Sequence, residues 1–311
     1  MMKVSACRAT AVVVALAMAT GVHGCGGDGR SEDVEAVATS ASSGGSARPA
    51  ERPAPGDHRL FLDWDGKERV YEVHAPPTYR PGLALPLVVV MHYRGGTPTT
   101  MREMTLFDKK ADSEGFLVAY PMGLNGAVNA LICCGNNDDV GFIRTMVEHL
   151  TTAWSVDHTR VYGTGISNGA DMSFRLAVEA PGMFAAIAPV SGGFLGVKAS
   201  TDAAYKPSRP VSVVSFGGKE DPLLGRVEEG LNAWYQKLGC TPGAPTLVDP
   251  DKTVTRTPAR CADGSEVVSH VITGMGHQWP GGTVAGLGNP TTQINAVDTM
   301  WAFFHAHPGT S

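Results

Sequence analysis

From residue 59 onward, short apolar runs alternate with stretches of helical spacing. Residues 59–64 and 69–74 flank Asp65-Gly66, a pattern that predicts a β-hairpin. Residues 87–91 form a continuous apolar run, as expected of a strand buried on both faces. A helix is expected over 101–113, a second buried strand over 116–120, and then a Gly- and Asn-rich loop through Asn137. Phe142, Ile143, Met146, Val147, Leu150 and Trp154 recur at helical spacing. A short strand over 160–164 leads to a helix over 168–180, stopped by Pro181. Further strands are predicted at 184–190, 211–216 and 267–273, with a helix at 227–238. Ile294, Val297, Trp301 and Phe304 mark a final amphipathic helix. Strands alternating with helices predict an α/β fold, with a mostly parallel central sheet covered by helices on both faces.

The N-terminus follows a different pattern. Lys3 and Arg8 are the only charges before Asp28, and an apolar run over 9–21 follows them, which reads as an export signal. Val22-His23-Gly24-Cys25 then resembles a lipobox, in which Cys25 would carry lipid. Ordinary signal cleavage nearby is the alternative, and either route leads to an extracellular or cell-surface protein. Residues 26–56 are rich in Gly, Ser, Ala, Pro and Glu, too poor in apolar side chains to repay the entropy of ordering, and read as a flexible linker. The expected organisation is therefore a signal over 1–25, a linker over 26–56 and one catalytic domain over 57–311, without a large cap domain.

Of the 311 residues, 43 % are hydrophobic, enough for one sizeable core. The 25 basic residues against 30 acidic ones give a net charge of −5, and no basic block appears, which argues against nucleic acid as a partner. A membrane enters only through a lipid anchor at Cys25. Six cysteines are present. With Cys7 in the signal and Cys25 lipidated, Cys133, Cys134, Cys240 and Cys261 remain, and an oxidising compartment favours disulfides. Three connectivities are open. Cys240–Cys261 is favoured because it closes a polar, Pro-rich excursion, while the adjacent Cys133 and Cys134 either bridge or stay reduced. No His lies at ligand spacing near them, so metal binding is the weaker reading.

The sharpest chemical signal is Gly165-Ile166-Ser167-Asn168-Gly169, set between a predicted strand and a predicted helix. A nucleophile elbow needs that context, because the turn is tight enough to require small flanking residues. A Ser hydroxyl is a poor nucleophile unless a base and an orienting acid serve it. Asp221 lies just past the strand 211–216, and His277 just past the strand 267–273, in the chain order Ser, Asp, His. Glu220 is the rival acid; His149, His305 and His307 are weaker candidates for the base. An oxyanion needs two donors. One is expected from the Asn168 backbone N–H, the other from the loop His92-Tyr93-Arg94-Gly95-Gly96, with Arg94 preferred to Tyr93. His92 reads as a core histidine holding that loop by hydrogen bonds. Tyr93, Gln278 and Trp279 are candidate substrate contacts, Trp279 by stacking on an aromatic acyl group or a sugar, or else as packing beneath the His277 loop.

Several segments together carry a resemblance: 87–96, Tyr120-Pro121-Met122-Gly123-Leu124-Asn125-Gly126, Cys133-Cys134-Gly135, Asp138-Asp139-Val140-Gly141-Phe142, 161–176 and 274–281. In that order they resemble the polyhydroxybutyrate depolymerase and feruloyl esterase group of α/β-hydrolases, which includes LpqC-like lipoprotein esterases. The likeness runs from about residue 59 to residue 307. It implies an α/β-hydrolase fold, Ser167 as nucleophile, Asp221 as acid, His277 as base, a Cys240–Cys261 disulfide, and neither metal nor organic cofactor. The substrate implied is a carboxylic ester, polymeric ones included: polyester, or feruloyl or acetyl esters on polysaccharide. Three positions depart from the group's pattern, namely Tyr93-Arg94 in place of small residues, Val128 in place of a Trp, and Phe216 in place of a His. A serine peptidase of the same fold and a non-catalytic surface lipoprotein are the rival readings. The peptidase would normally add a propeller or cap domain.

Overall fold

The computed structural model describes residues 52–283, 287 and 293–310. The expected signal, Cys25 and most of the linker lie outside the described residues. The chain opens with β1 (Gly56–Trp64) and β2 (Lys67–Ala75), paired antiparallel from Gly56↔Ala75 to Trp64↔Lys67. Asp65 and Gly66 both take positive φ, 53° and 68°, as a two-residue turn matched to strand twist requires. β3 (Leu85–Met91) follows. The helix expected over 101–113 is two: α1 (Pro98–Thr105) and α2 (Phe107–Glu114), broken where Leu106 turns left-handed at φ 59°. β4 (Leu117–Pro121), α3 (Asp139–Ala153), β5 (Val156–Ile166) and α4 (Asn168–Glu179) come next. The chain continues with β6 (Ala186–Val190), α5 (Val197–Thr201), β7 (Ser212–Gly218) and α6 (Leu224–Leu238). Two short strands, β8 (Thr241–Pro242) and β9 (Thr246–Leu247), precede β10 (Val254–Arg260), β11 (Glu266–Ile272) and α7 (Ala296–Ala306).

The strands form one sheet in the order β1-β2-β4-β3-β5-β6-β7-β11-β10-β8, with β9 also paired to β10. Every pair from β4 through β3, β5, β6 and β7 to β11 is parallel. The two flanks are antiparallel. Period-two alternation in the central strands feeds two cores. Leu87, Val89 and Met91 of β3 face one, with Phe142, Met146 and Leu150 of α3, Phe174 of α4 and Trp234 of α6. Val88 and Val90 face the other, with Met101 of α1, Phe107 of α2, and Met300 and Phe304 of α7. A strand that must satisfy apolar layers on both sides has no polar position to offer, and this is why residues 87–91 read as one unbroken run.

A buried ion pair ties one antiparallel flank of this sheet to its first long helix. Arg69 in β2 donates to Asp139 at the start of α3 at 2.5 Å, with both side chains almost wholly buried. The Arg69 guanidinium also lies 3.9 Å from the centre of the Phe142 ring. Cys240 and Cys261 are bonded, joining the end of α6 to the end of β10, and Cys133 is bonded to Cys134. Among the described residues no helix is long and apolar enough to cross a membrane.

Candidate active site

The parallel strands end on one edge, and the chemistry-bearing residues follow those ends. Ser167 comes directly after β5, with φ 56° and ψ −118°, a backbone conformation that costs a non-Gly residue of order 1–3 kcal/mol. Its N–H donates to Val190 O of β6, and its carbonyl accepts from the Ala170 and Asp171 N–H groups, so the turn is held from both sides. Crowding dictates the flanking glycines. A Cβ on Gly165 would come within 2.6 Å of Met91 O, and one on Gly169 within 2.2 Å of the same oxygen and 2.9 Å of His92 O. The end of β3 is therefore seated against the elbow, and only hydrogen fits between them. Although Ser167 stands at the N-cap position of α4, its hydroxyl makes no capping bond. It has no hydrogen-bond partner among the described residues, so the oxygen is uncommitted.

Asp221 and His277 meet on the neighbouring loops. The loop after β7 and the loop after β11 touch through backbone: Lys219 N–H donates to Ile272 O at 2.9 Å and Glu220 N–H to Met275 O at 3.0 Å. Gly218 makes this possible, since a Cβ there would lie 2.1 Å from Met275 O. Asp221 is 5 % exposed and receives His277 Nδ1–H at 2.8 Å, while its other oxygen accepts the Leu223 N–H at 2.8 Å. That bond places the imidazole proton on Nδ1 and leaves Nε2, which has no hydrogen bond among the described residues, as the basic atom. Glu220, the rival acid, makes no such bond to His277.

Ser167 opens onto a cleft of about 130 Å³, lined also by Arg94, Cys133, Asn168, Asp171, Ser191 and Leu223. Leu223 is the residue whose N–H Asp221 holds, so the acid's loop forms part of the cleft wall. A larger hollow of about 460 Å³ lies around His158, Pro181 and Met183, at the opposite edge of the sheet. It contains none of the strand-end residues, and the chemistry therefore singles out the smaller cleft.

The loop after β3 behaves as a braced support. His92 is fully buried, donates from Nδ1 to Tyr93 O at 2.7 Å and accepts the Gly123 N–H at Nε2 at 2.9 Å. Burial holds its pKa below the usual histidine value, against the pull of the Tyr93 carbonyl and Asp139, so it remains a neutral strut. Gly96 N–H closes the turn onto Tyr93 O. Of the two expected second donors, Arg94 lines the cleft and Tyr93 does not. Tyr93 is half-buried against the second core, with its ring beneath Gly96. Asn168 does more than lend its backbone. Its amide exchanges two hydrogen bonds with the Val128 backbone, both 3.0 Å, and approaches Cys133 Sγ at 3.9 Å. The elbow thereby holds the 128–133 segment that forms one side of the cleft.

Trp279 takes the packing alternative and not the stacking one. It is 2 % exposed, packs edge-on against Phe107 at 6.2 Å and belongs to the second core, so it offers no stacking surface to a substrate. Its ring is large and apolar enough to be more useful anchoring the His277 loop. Gln278 is half-buried and likewise lies outside the cleft. Sequence reasoning missed two cleft residues. Asp171 sits one turn along α4 from Ser167 and is 6 % exposed. Ser191 follows β6 and is 1 % exposed. Burial pushes the Asp171 carboxyl up to about 7, against the Gly193 N–H and the Arg226 charge.

Known proteins share this architecture. A family model described as "Esterase PHB depolymerase" matches residues 70–224. A protein of Nocardia uniformis subsp. tsuyamanensis, provisionally named as the esterase NocK, is 31 % identical over 341 residues, spanning 93 % of this chain and 96 % of its own. Feruloyl esterase B of Piromyces equi is 28 % identical over 226 residues, which cover 66 % of this chain and 42 % of the relative. Among solved structures, an acetyl xylan esterase from Aspergillus awamori superposes with a TM-score of 0.63 at 18 % identity, over 80 % of this chain and 99 % of that one.

Proposed function

This chain is a carboxylic ester hydrolase that belongs to the PHB depolymerase and feruloyl esterase family of α/β-hydrolases, and on that premise we propose that it works through a covalent acyl-enzyme on Ser167. The observation that carries the reading is the 2.8 Å bond from His277 to buried Asp221, on the same sheet edge as the uncommitted hydroxyl of Ser167. His277 Nε2 takes the Ser167 proton as Oγ attacks the ester carbonyl, and the oxyanion is held by the N–H groups of Asn168 and Arg94. The imidazolium then protonates the leaving alkoxide, and the alcohol departs. Water, deprotonated by the same nitrogen, attacks the acyl-enzyme, and the carboxylic acid leaves as Ser167 recovers its proton. Asp221 fixes the tautomer and stabilises the imidazolium throughout.

The relatives and the N-terminal sequence support a substrate class. An export signal with a lipobox-like Cys25 suits a substrate outside the cell, and relatives are named for feruloyl and acetylxylan esters. We assign a secreted or surface-tethered enzyme acting on feruloyl or acetyl esters of polysaccharide, with polyester as the second reading that the family name favours. The test is a substrate panel of methyl ferulate, acetylated xylan, polyhydroxybutyrate film and p-nitrophenyl acetate, run on the wild type and on Ser167→Ala. The variant is expected to lose at least about a thousand-fold in turnover with its fold intact. Near-normal turnover would remove Ser167 from the mechanism, and clearing of the film alone would replace the polysaccharide-ester assignment.

A further inference from the structure

Two arginines bracket the cleft beside Ser167. In the sheet order β3-β5-β6-β7, Ser167 follows β5, Arg94 follows β3 on one side, and Arg226 sits in the first turn of α6, past β7 on the other. Both line the cleft and both are exposed. Neither makes a hydrogen bond or an ion pair among the described residues. Arg175, in the neighbouring hollow, shows the contrast, because Glu179 and the Asn129 carbonyl take up its guanidinium. Asp171 is the one acid lining the cleft among the described residues, and burial raises its pKa to about 7, so below that it carries little charge to offset the pair. The Arg226 charge draws the Asp171 value down, which shows that this guanidinium acts on the interior of the cleft and not on solvent alone. General basicity does not put it there, since the whole chain carries −5. Nor does helix formation: the first turn of α6 holds no acid, and a cation near a helix N-terminus is opposed by the helix field. The fold thus gathers two uncompensated cations at the cleft and supplies no anion for them.

We propose that Arg94 and Arg226 hold a carboxylate at the far end of a short acyl group, so that the protein hydrolyses half-esters of short dicarboxylic acids in preference to neutral esters of the same shape. The inference goes beyond the polysaccharide-ester assignment and rests on the acyl-enzyme reading of Ser167. The cleft belongs to the acyl half of an ester, because the leaving oxygen must face His277 Nε2 and His277 does not line the cleft. Ile132, Leu195, Leu223 and Val227 give it apolar walls that suit methylenes. Its volume of about 130 Å³ equals about four waters at about 30 Å³ each, room for a chain of two or three methylenes and not for a substituted aromatic ring. Beyond such a chain the guanidinium groups meet the carboxylate, which an arginine fork binds through two parallel N–H···O bonds. No further covalent step is involved. The remote ion pair anchors one end of the acyl group, and the apolar walls then present its carbonyl to Ser167.

The test measures kcat/KM by pH-stat on the full chain at about pH 6.5, where Asp171 is largely protonated. Monomethyl succinate is paired with methyl levulinate, and monomethyl glutarate with methyl 5-oxohexanoate, so that each carboxylate is set against a neutral methyl ketone of the same shape. The wild type is expected to favour each carboxylate by at least about 10-fold, and added salt should shrink that preference, since charges at an open cleft are screened. Arg226→Gln and Arg94→Gln should each lose most of it, and Arg226→Lys, which keeps the charge without the fork, should keep part. The ratio within each pair is the readout, because Arg94 also lends its backbone N–H to the oxyanion. The two glutamine variants lie on different elements, so one serves if the other does not fold. A wild-type ratio near one with turnover of all four esters overturns the carboxylate subsite and leaves the acyl-enzyme reading standing, as does a preference that both glutamine variants keep. A larger preference for acetoxyacetate over acetoxyacetone, which places the carboxylate on the alcohol, overturns the acyl-side placement. A wild type that hydrolyses none of the four overturns the inference, and if it then also matches Ser167→Ala on p-nitrophenyl acetate, the acyl-enzyme reading falls separately.

Discussion

Replacing Asp171 by Asn isolates the energetic cost of keeping a carboxyl in the cleft. In the folded protein the group's pKa is pushed up to about 7, against 3.8 for the ordinary carboxyl, chiefly by burial. Because the folded value is the higher one, the folded state holds this proton more tightly than the unfolded chain. Its contribution is therefore most favourable below the unfolded value and is lost as pH rises toward the folded one. A difference of about 3 pH units corresponds to about 4 kcal/mol, fully felt only once the folded carboxyl is ionised as well. Part of this is already lost near pH 5, where the unfolded carboxyl is largely ionised, so between about pH 5 and about pH 8.5 the wild type should lose about 2–3 kcal/mol more than the variant. The new amide adds its own penalty of about 1–3 kcal/mol if its N–H groups go unpaired, but that penalty does not depend on pH. Urea unfolding of both proteins at the two pH values therefore measures a difference of differences. Parallel pH dependences would show that the carboxyl is well solvated, and the reasoning that places it in a dry cleft would be wrong.

Three further outcomes follow from other parts of the molecule. Gly169→Ala puts a methyl group 2.2 Å from Met91 O, so the elbow must shift, and esterase turnover should fall at least about a hundred-fold even in protein that folds. Arg69→Leu leaves the Asp139 carboxylate buried without its cation and should cost about 3–5 kcal/mol in urea unfolding, with the double variant Arg69→Leu/Asp139→Asn recovering part of the loss. His74 has a carboxylate on each ring nitrogen, Asp57 at 2.7 Å and Asp112 at 2.9 Å; burial lowers its pKa, but these bonds and the nearby Asp108 outweigh it and raise the value above 6.5. Its stabilising effect is present below the ordinary histidine value and fades as pH rises through the raised one, so His74→Gln should destabilise more near pH 6 than near pH 9, as thermal unfolding at the two values would show.

Local pattern foretold the elements whose residues are fixed by their own neighbours. The Asp65-Gly66 turn, the buried strand β3 and the glycine-flanked Ser167 could be read because each states a local steric demand. Elements fixed by distant partners could not. The break at Leu106 depends on one left-handed residue inside a stretch whose spacing is otherwise continuous. β5 extends to Val156 through Asp157 and His158, polar positions with no strand pattern of their own ahead of the short strand expected at 160–164. β10 carries Pro258 and mostly polar residues, and it becomes a strand because β11 pairs along its whole length. The Arg69–Asp139 ion pair spans seventy residues of sequence, and no spacing rule links the two.

The candidate site divides in the same way, and the division explains which residues were missed. Ser167, Asp221 and His277 announce themselves because each follows an apolar strand and precedes a helix or a Gly-rich turn. For Trp279 the distance along the chain to His277 allows either a substrate contact or packing, because chain distance sets no direction; its ring turns into the core. Asp171 carried a signal that went unused. It lies between Ala170 and Met172 on a helix whose first residues are all buried, and a lone acid there must either find a partner or hold a proton. Among the described residues the only hydrogen bond to its carboxyl comes from the Gly193 backbone, two residues beyond Ser191, so the segment after β6 also forms part of the cleft. The strand–turn–helix motif points to Ser167 alone, while the neighbouring strand end, which brings Ser191 to the same cleft, carries no motif of its own.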